Sequence, residues 1–337
     1  MSTKDSASPF YEELEGKKVR CLLCAHKCVI ANNSKGICKV RQNKEGILYA
    51  LNKNIFVALN IDPIEKKPLF HFLPGSRSFS VATEGCNFKC VFCQNYEISQ
   101  IGEREIRGRF VPSEKVVELA VENNCRSISY TYTEPTVFFE TAYETGILAR
   151  KKGLKNVFVT NGYISREAAL KIKDFLDAAN VDLKSFSEET YKKYCGATLK
   201  GVLEGIDFLL EAGILLEITT LIVPGMNDSE DELKKIAKFI ASRSKEIPWH
   251  ISRFFPNYKM EDRSPTSLES LNLAETLGKE EGLKYIYKGN VWGEGEDTNC
   301  PSCKKLLIQR QGFEILKNVV NNGICPHCGE KIYGLFG

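Results

Sequence analysis

Residues 78–95 of this 337-residue chain read SFSVATEGCNFKCVFCQN, a short apolar run followed by a loop with Cys86, Cys90 and Cys93. Three thiolates in this C-x3-C-x2-C spacing can hold three corners of a cubane [4Fe–4S] cluster, whereas clusters that only carry electrons usually have four cysteine ligands. The open iron can bind the amino and carboxylate groups of S-adenosylmethionine (SAM). An electron can then cleave a carbon–sulfur bond and release a 5′-deoxyadenosyl radical. A zinc knuckle or buried thiols are the alternatives, and zinc is disfavoured because the loop leaves a strand and not a hairpin.

The middle of the chain alternates between predicted strands and predicted helices. Strands are predicted at 78–83, 127–133, 157–160, 180–183, 216–223, 250–255 and 284–287, and helices at 113–123, 137–152, 166–176, 200–212, 231–242 and 268–279. Strand–helix repetition of this kind builds a parallel sheet with right-handed crossovers. Six or seven such units predict an α/β fold that curls into a partial or complete barrel. Ligands bind at the C-terminal ends of barrel strands, which is where the cysteine loop would lie.

Polar residues at the predicted strand ends are candidates for contacts with the cofactor: Glu134, Thr160, Asn161, Asp182, Lys184 and His250. Glu134 could accept hydrogen bonds from the methionine ammonium group of SAM, or it could cap the next helix. Asp182 and Lys184 share one face of a strand, where opposite charges are costly unless they are paired or bind a ligand. A structural ion pair is the alternative. His250 could reach the adenosine, but a lone histidine is more often a satisfied core residue, and the remaining two residues could form a simple turn.

A second cysteine group lies near the C-terminus. Its members form a C-x2-C…C-x2-C pattern with 21 intervening residues: Cys300, Cys303, Cys325 and Cys328. This spacing is close to that of a zinc ribbon and predicts a site with four thiolate ligands. Zinc is favoured over rubredoxin-like iron, although thiolate sulfur alone does not separate these metals.

A third group lies near the N-terminus, with a less regular C-x2-C-x3-C-x9-C pattern: Cys21, Cys24, Cys28 and Cys38. Four thiolates make a closed site, which suits structure or electron transfer better than substrate activation. Zinc is favoured over an auxiliary iron–sulfur cluster, because a segment this short cannot build a core alone and a metal would hold it together.

These groups suggest four parts of the chain: a four-cysteine module at 1–50, a connection at 51–72, the barrel at 73–291 and a zinc-ribbon or rubredoxin-like module at 292–337. Thirteen cysteines without a secretory signal indicate metal ligation in a reducing cytoplasm rather than disulfides. No apolar stretch approaches the roughly 20 residues that span a bilayer, so no membrane association is expected.

Six motifs together resemble one known family: DPIEKKPLFHFLPG at 62–75, GCNFKCVFCQN at 85–95, YTYTEP at 130–135, TNGY at 160–163, DLK at 182–184 and TTLIVPGMND at 219–228. They are similar to the radical SAM enzymes of the AmmeMemoRadiSam system, which are related to the pyruvate formate-lyase activating enzymes. The resemblance implies a partial (β/α)6-type radical SAM barrel with its cluster on Cys86, Cys90 and Cys93.

The resemblance also implies contacts with SAM. Glu134 matches the acidic residue of a Gly-Gly-Glu-Pro motif, although Tyr132 and Thr133 stand in place of the glycines. The family's Asp-x-Lys motif maps onto Asp182 and Lys184, and the aspartate would help to hold a monovalent cation beside the SAM carboxylate. A histidine of a late strand maps onto His250. We also predict that Asn95, at the end of the cysteine motif, contacts the cofactor.

The predicted function is therefore that of a radical SAM enzyme, reduced by an external one-electron donor, that abstracts hydrogen from a protein or small molecule. The resemblance implies partner proteins of the same system. Alternatives are an RNA-modifying radical SAM enzyme, a glycyl-radical-enzyme activase, or a non-catalytic zinc-dependent nucleic-acid-binding protein. Eight Lys or Arg and no Asp or Glu lie between residues 17 and 44, which could track an RNA backbone. The overall net charge is only +3, so the whole chain is not expected to attract nucleic acid.

Overall fold

The computed structural model describes residues 7–291, 293 and 295–337. Its strands are β1 (Tyr11–Leu14), β2 (Lys18–Cys21), β3 (Val29–Ile30), β4 (Arg41–Lys44), β5 (Ile47–Ala50), β6 (Ile55–Pro63), β7 (Arg77–Thr83), β8 (Arg109–Phe110), β9 (Ser127–Tyr130), β10 (Lys155–Thr160), β11 (Ala178–Asp182), β12 (Leu215–Ile222), β13 (Trp249–Arg253), β14 (Ile286–Gly289), β15 (Thr298–Asn299), β16 (Leu306–Gln311) and β17 (Glu314–Asn318). Its α-helices are α1 (Tyr96–Ser99), α2 (Ser113–Glu122), α3 (Phe139–Lys151), α4 (Arg166–Ile172), α5 (Glu188–Thr190), α6 (Leu199–Glu211), α7 (Glu230–Arg243) and α8 (Leu268–Glu280). Short 3-10 helices lie at Glu15–Lys17, Ile64–Lys66, Pro135–Phe138 and Tyr258–Met260, and a π-helix lies at Tyr191–Cys195.

The central sheet has the strand order β14-β13-β12-β11-β10-β9-β7-β6-β8. Strands β7 and β9 to β14 pair in parallel and in chain order, with helices in most of the crossovers. Strands β6 and β8 extend one edge in antiparallel pairing. Since β14 and β8 are edge strands, the sheet is a partial barrel, as the sequence predicts.

The seven predicted strands correspond to β7 and β9–β14, with ends that differ by no more than three residues. The predicted helices correspond to α2, α3, α4, α6, α7 and α8. Strand β6 was not predicted and lies in the segment 51–72, which the sequence predicts to be only a connection. It pairs antiparallel with β7. A repeat of strands and helices predicts parallel pairs only, so this antiparallel pairing could not be predicted from it.

The two faces of the sheet differ in polarity. One face carries Phe158 and Trp249 against the helices, and Trp249 lies next to Gly278 of α8. The strand register places small or polar residues on the opposite, concave face: Ser78, Ser80, Ser127, Ser129, Asn180, Asp182, Glu217 and Thr219. The concave face is therefore the polar one, which suits a binding channel.

Residues 68–73 cross this concave face and close one end of the barrel. Leu69, Phe72 and Leu73 pack against Val157 and other apolar residues near the strand beginnings. The C-terminal segment lies over the same end, because the backbone of Leu335 exchanges hydrogen bonds with this crossing segment. The open mouth is consequently at the C-terminal ends of the strands. Within the described residues, no helix has both the length and the apolarity to cross a membrane.

Candidate active site

The cysteine loop leaves the C-terminal end of β7 and lies at the barrel mouth. The Sγ atom of Cys86 accepts a hydrogen bond from the Phe88 amide at 3.4 Å, and Cys93 Sγ lies 3.2 Å from the Ser99 hydroxyl. Burial raises the pKa of the Cys86 thiol and of the Cys93 thiol. These thiols therefore stay protonated until a metal displaces the protons.

The spacing of the three sulfur atoms separates a cluster from a single ion. Tetrahedral Zn–S bonds of about 2.3 Å would place the sulfur atoms about 3.8 Å apart. Among the described residues, only the four C-terminal cysteines form a group of three or more possible ligands whose atoms all lie within 4.8 Å of one another. At least one pair of Sγ atoms among Cys86, Cys90 and Cys93 is therefore more than 4.8 Å apart, which a polynuclear cluster accommodates better than one metal ion.

Glu134 lies in a dense network at the end of β9 and is 2% exposed. Its Oε1 accepts hydrogen bonds from the amide and hydroxyl of Thr136 and from the hydroxyl of Thr160. Its Oε2 accepts one from the Asn161 amide at 2.8 Å. Burial raises the pKa of this carboxyl group. Glu134 thus caps the 3-10 helix, as the alternative interpretation holds, and only Oε2 keeps obvious capacity for a further donor.

Asn161 links this network to the cysteine loop. Its Nδ2 donates to Asn87 Oδ1 at 2.8 Å and lies 4.0 Å from Cys86 Sγ. The predicted residues Thr160, Asn161 and Glu134 are therefore brought together beside the cysteines, although the sequence separates them by some 26 residues. The turn that holds them requires Gly162, because its φ is +72° and a Cβ would lie 2.8 Å from Val181.

Tyr132 has a left-handed backbone conformation, which glycine adopts more readily than other residues. Its φ is +64°, which costs a residue other than glycine on the order of 1–2 kcal/mol. Its carbonyl accepts a hydrogen bond from Asn95 Nδ2 at 2.9 Å, and its hydroxyl donates to Asp62. Asn95 therefore ties the cysteine loop to Tyr132. These contacts hold Tyr132 in its left-handed conformation.

Asp62 belongs to a charged group on the concave face that no sequence pattern identified. It accepts a hydrogen bond from Lys67 Nζ at 2.7 Å and one from Lys66 Nζ at 2.9 Å, and the Lys67 ammonium lies 4.5 Å from the centre of the Tyr132 ring. Although burial raises it, the hydrogen bonds from Lys67, Tyr132 and Lys66 bring the pKa of Asp62 below its usual range. The sequence feature that could have indicated this group is the pair of lysines, Lys66 and Lys67, in the 62–75 motif. Their position in the channel depends on the pairing of β6, which the sequence does not predict.

Asp182 and Lys184 are paired with each other at the end of β11. Lys184 Nζ lies 3.0 Å from Asp182 Oδ2, and it also lies 5.7 Å from the centre of the Phe92 ring in the cysteine loop. Burial lowers the pKa of Lys184, but Asp182 and the neighbouring cysteines raise it by more than burial lowers it. The pKa of Lys184 is therefore above its usual value. This arrangement supports the alternative interpretation of a structural ion pair.

His250 is enclosed by the segment that closes the barrel. Its Nε2 lies 2.7 Å from Glu217 Oε2, its ring packs edge-to-face on Phe70 at 4.8 Å, and it is 4% exposed. Glu217 also accepts the amides of Phe70 and His71. These contacts support the alternative of a satisfied core histidine over a contact with adenosine.

Cys195, which sequence spacing leaves isolated, lies against the cysteine loop. The Lys89 amide donates to the Cys195 carbonyl at 2.7 Å. Its thiol is within hydrogen-bond reach of Cys90, and that contact, followed by burial, raises the pKa of Cys90. No spacing pattern could have found this neighbour, because Cys195 is the last residue of a π-helix far along the chain.

The two terminal cysteine groups lie at different ends of the barrel. The C-terminal group is tight, with 3.6 Å between Cys300 and Cys328 Sγ and 3.8 Å between Cys303 and Cys325 Sγ. These separations match a tetrahedral metal site. The N-terminal four line one cavity beside Asn87 of the cysteine loop.

Comparisons with known proteins give a consistent result. The family model of the Radical SAM superfamily matches residues 80–240. An uncharacterized protein of Methanocaldococcus jannaschii is 47% identical over 327 residues, which are 96% of this chain and 97% of that protein. A putative glycyl-radical enzyme activating enzyme of the same organism is 26% identical over 245 residues, covering 69% of this chain and 87% of that protein. The solved structure of Streptococcus suis SuiB bound to S-adenosylmethionine shares the fold, with a TM-score of 0.51 and 15% identity over 67% of this chain and 53% of SuiB.

Proposed function

Because this chain belongs to the radical SAM superfamily, we propose that it abstracts hydrogen from a protein or small-molecule substrate in the polar channel of its barrel. The predicted relationship to the activating enzymes is confirmed at the level of the family, and the chain is an enzyme of the radical SAM type. A [4Fe–4S] cluster and SAM, when bound, supply the 5′-deoxyadenosyl radical for this chemistry.

The observation that carries the proposal is the cysteine trio at the barrel mouth. Cys86, Cys90 and Cys93 lie on one loop, and their sulfur atoms are not all within 4.8 Å of one another, as the ligands of a tetrahedral single ion would be. In this proposal they hold the cluster and leave one iron for SAM. Asn161 and Glu134 Oε2 lie beside them and would orient the methionine end of SAM.

The channel floor supplies the proposed substrate contacts. Asp62, Lys67 and Tyr132 form one buried polar group on the concave face. Lys67 is 2% exposed, and burial lowers its pKa, which the hydrogen bond that it donates to Asp62 partly restores. Because Asp62 already neutralises the Lys67 ammonium, neither charge selects a substrate of one sign, and the pair contributes to the polar floor against which a substrate would bind.

The RNA alternative has less support from the charges. Of the eight basic residues between 17 and 44, four are in ion pairs: Lys17 with Glu45, Arg20 with Glu12, Lys39 with Glu103 and Arg41 with Glu140. Only part of the basic segment is therefore available to a nucleic-acid backbone.

The test is made on protein reconstituted under anaerobic conditions. The reduced protein should give the EPR signal of a [4Fe–4S]+ cluster, this signal should change when SAM is added, and 5′-deoxyadenosine should form. Cys90→Ala should abolish the SAM-induced change in the EPR signal and the formation of 5′-deoxyadenosine. Cys125→Ala is the matched control, since Cys125 is also a buried thiol but lies beside Leu73 and Leu335 at the closed end. Formation of 5′-deoxyadenosine by the Cys90 variant at the wild-type rate would refute the assignment.

A further inference from the structure

The N-terminal cysteines differ from the C-terminal cysteines in their spacing. The C-terminal sulfur atoms have the separations of a tetrahedral single-ion site. Among the described residues, the N-terminal four contain no set of three ligand atoms that all lie within 4.8 Å of one another. They still line one common cavity: Cys21, Cys24, Cys28 and Cys38. In this respect they resemble the trio on the mouth loop, so the geometry calls for a larger metal centre than one ion.

The cavity also contains an unpartnered buried donor. Arg41 lines the cavity and is 1% exposed, and its Nε has no hydrogen-bond partner among the described residues. Its other guanidinium nitrogens are bound to Glu140 and to the Val137 carbonyl. Buried polar groups normally have partners, and a donor beside four thiolates is well placed to bind sulfur. Hydrogen bonds to cluster sulfur are among the features that set the reduction potential of such centres.

The N-terminal group is packed directly on the mouth loop. His26, two residues after Cys24, has its Nε2 2.8 Å from the Asn87 carbonyl. Gly85 has a φ of +101°, and a Cβ there would lie 3.0 Å from the Cys38 carbonyl. Gly85 and Asn87 are the chain neighbours of Cys86. The N-terminal group therefore contacts the mouth loop at the residues on either side of a predicted cluster ligand. The C-terminal cysteines, in contrast, pack among the apolar side chains around Phe70 and Tyr287 at the closed end.

We propose that Cys21, Cys24, Cys28 and Cys38 hold a second iron–sulfur cluster of the [4Fe–4S] class that relays electrons to the cluster at Cys86, Cys90 and Cys93. An external low-potential donor loses one electron and the second cluster gains it. That electron then passes to the first cluster, and the second cluster returns to its oxidised state. The relay rests on the proposed function, whereas the identity of the second cluster does not.

The surface over this site suits an acidic donor protein. Val29 and Ile37 are 56% and 39% exposed next to Cys28 and Cys38. Lys27 and Lys35 lie in the same segment and have no ion-pair partner among the described residues. An apolar centre with a basic rim is complementary to a small acidic electron-carrier protein.

Metal content tests the second cluster. In the variant Cys86→Ala/Cys90→Ala/Cys93→Ala, reconstituted without air, about four iron ions should remain per chain. Their reduced EPR signal should not respond to SAM. The variant Cys24→Ala/Cys38→Ala should lose that signal and keep the SAM-responsive one. If the triple variant contains no iron and about two zinc ions per chain, the N-terminal site is a zinc site and the proposal is wrong.

This measurement separates the two proposals. A wild-type protein without a SAM-responsive signal, together with a triple variant that retains iron, would overturn the proposed function and leave the second cluster standing. The triple variant leaves the N-terminal module intact, so the result does not depend on whether the N-terminal variant folds.

Donor dependence tests the relay. The rate of 5′-deoxyadenosine formation is measured with dithionite, a small reductant, and with reduced flavodoxin. The ratio of flavodoxin-driven to dithionite-driven rate should fall at least tenfold in Cys24→Ala/Cys38→Ala, and it should also fall in Lys27→Glu/Lys35→Glu. Lys234→Glu/Lys238→Glu on exposed positions of α7 is the charge-matched control, whose ratio should stay that of wild type. An unchanged ratio in the cysteine variant would overturn the relay.

Discussion

Removal of Arg41 should weaken the attachment of the N-terminal module to the barrel. Both terminal guanidinium nitrogens bind the carboxylate of Glu140 at 2.6 Å, and Glu140 lies in the first turn of α3. The side chains are only 2% and 10% exposed. The variant Arg41→Leu leaves the carboxylate buried without its partner. Removing one member of a buried ion pair costs about 3–5 kcal/mol, and the Val137 carbonyl adds little because Asn52 also donates to it.

The assay is a double-mutant cycle with Arg41→Leu, Glu140→Leu and the double variant, all with the same metal content. Urea unfolding is followed by tryptophan fluorescence, to which the fully buried Trp249 of β13 contributes, and by circular dichroism. The free energies are comparable only if the two transitions coincide. Each single variant should lose about 3–5 kcal/mol and the double variant should regain at least half, because apolar pairs often replace buried ion pairs without loss.

Two results would refute this reasoning. Single variants that lose less than about 1 kcal/mol would mean that water reaches the pair, as for a surface salt bridge. Additive losses in the double variant would mean that the two side chains stabilise the protein independently. In either case the ion pair would not be what joins the module to α3.

Three further predictions concern other parts of the molecule. Gly205→Ala should weaken SAM binding and destabilise the fold by at least about 1–3 kcal/mol, because the new Cβ would lie 1.8 Å from the Gly162 carbonyl; calorimetric binding at matched cluster content checks this. Burial lowers the pKa of His71 to about 4, so the unfolded state binds a proton that the folded state refuses. Stability should therefore fall as the pH drops from about 6.5 toward 4, by up to about 1.4 kcal/mol per pH unit, and His71→Gln should flatten urea midpoints over that range. Cys300→Ser should lower the zinc content by about one ion per chain and leave the SAM-responsive EPR signal, because the tight C-terminal site lies at the closed end; a loss of that signal would contradict the separation.

Much of the barrel could be predicted because its information is local. The alternation of short apolar runs with amphipathic segments located β7 and β9–β14 to within three residues. After each of these strands, the connection returns the chain to the start of the next parallel strand. The strand–connection pattern therefore repeats along the sequence. Strand β6 has no such repeat. Its antiparallel pairing with β7 was decided by long-range hydrogen bonds, and Asp62 and Lys67 were therefore not recognised as part of the channel.

The candidate site divides in the same way. The three-cysteine spacing and the match of Glu134 to a family motif are properties of short segments. The neighbours of these residues are not: Cys195 reaches Cys90, and Arg41 reaches Glu140, only after the chain has folded. The strain at Tyr132 was also invisible, since side-chain contacts supply what glycine would otherwise allow.

The sequence by itself determined the chemistry, because cysteine spacing and the order of strands and helices are written along the chain. Only the tertiary structure decided which cysteine group faces the open mouth and which the closed end, and how far apart the sulfur atoms of each group lie. Those distances depend on the packing of distant segments such as residues 68–73 and the module joined by Arg41. A metal centre responds to such distances, whereas a spacing pattern records only the number of residues between its ligands.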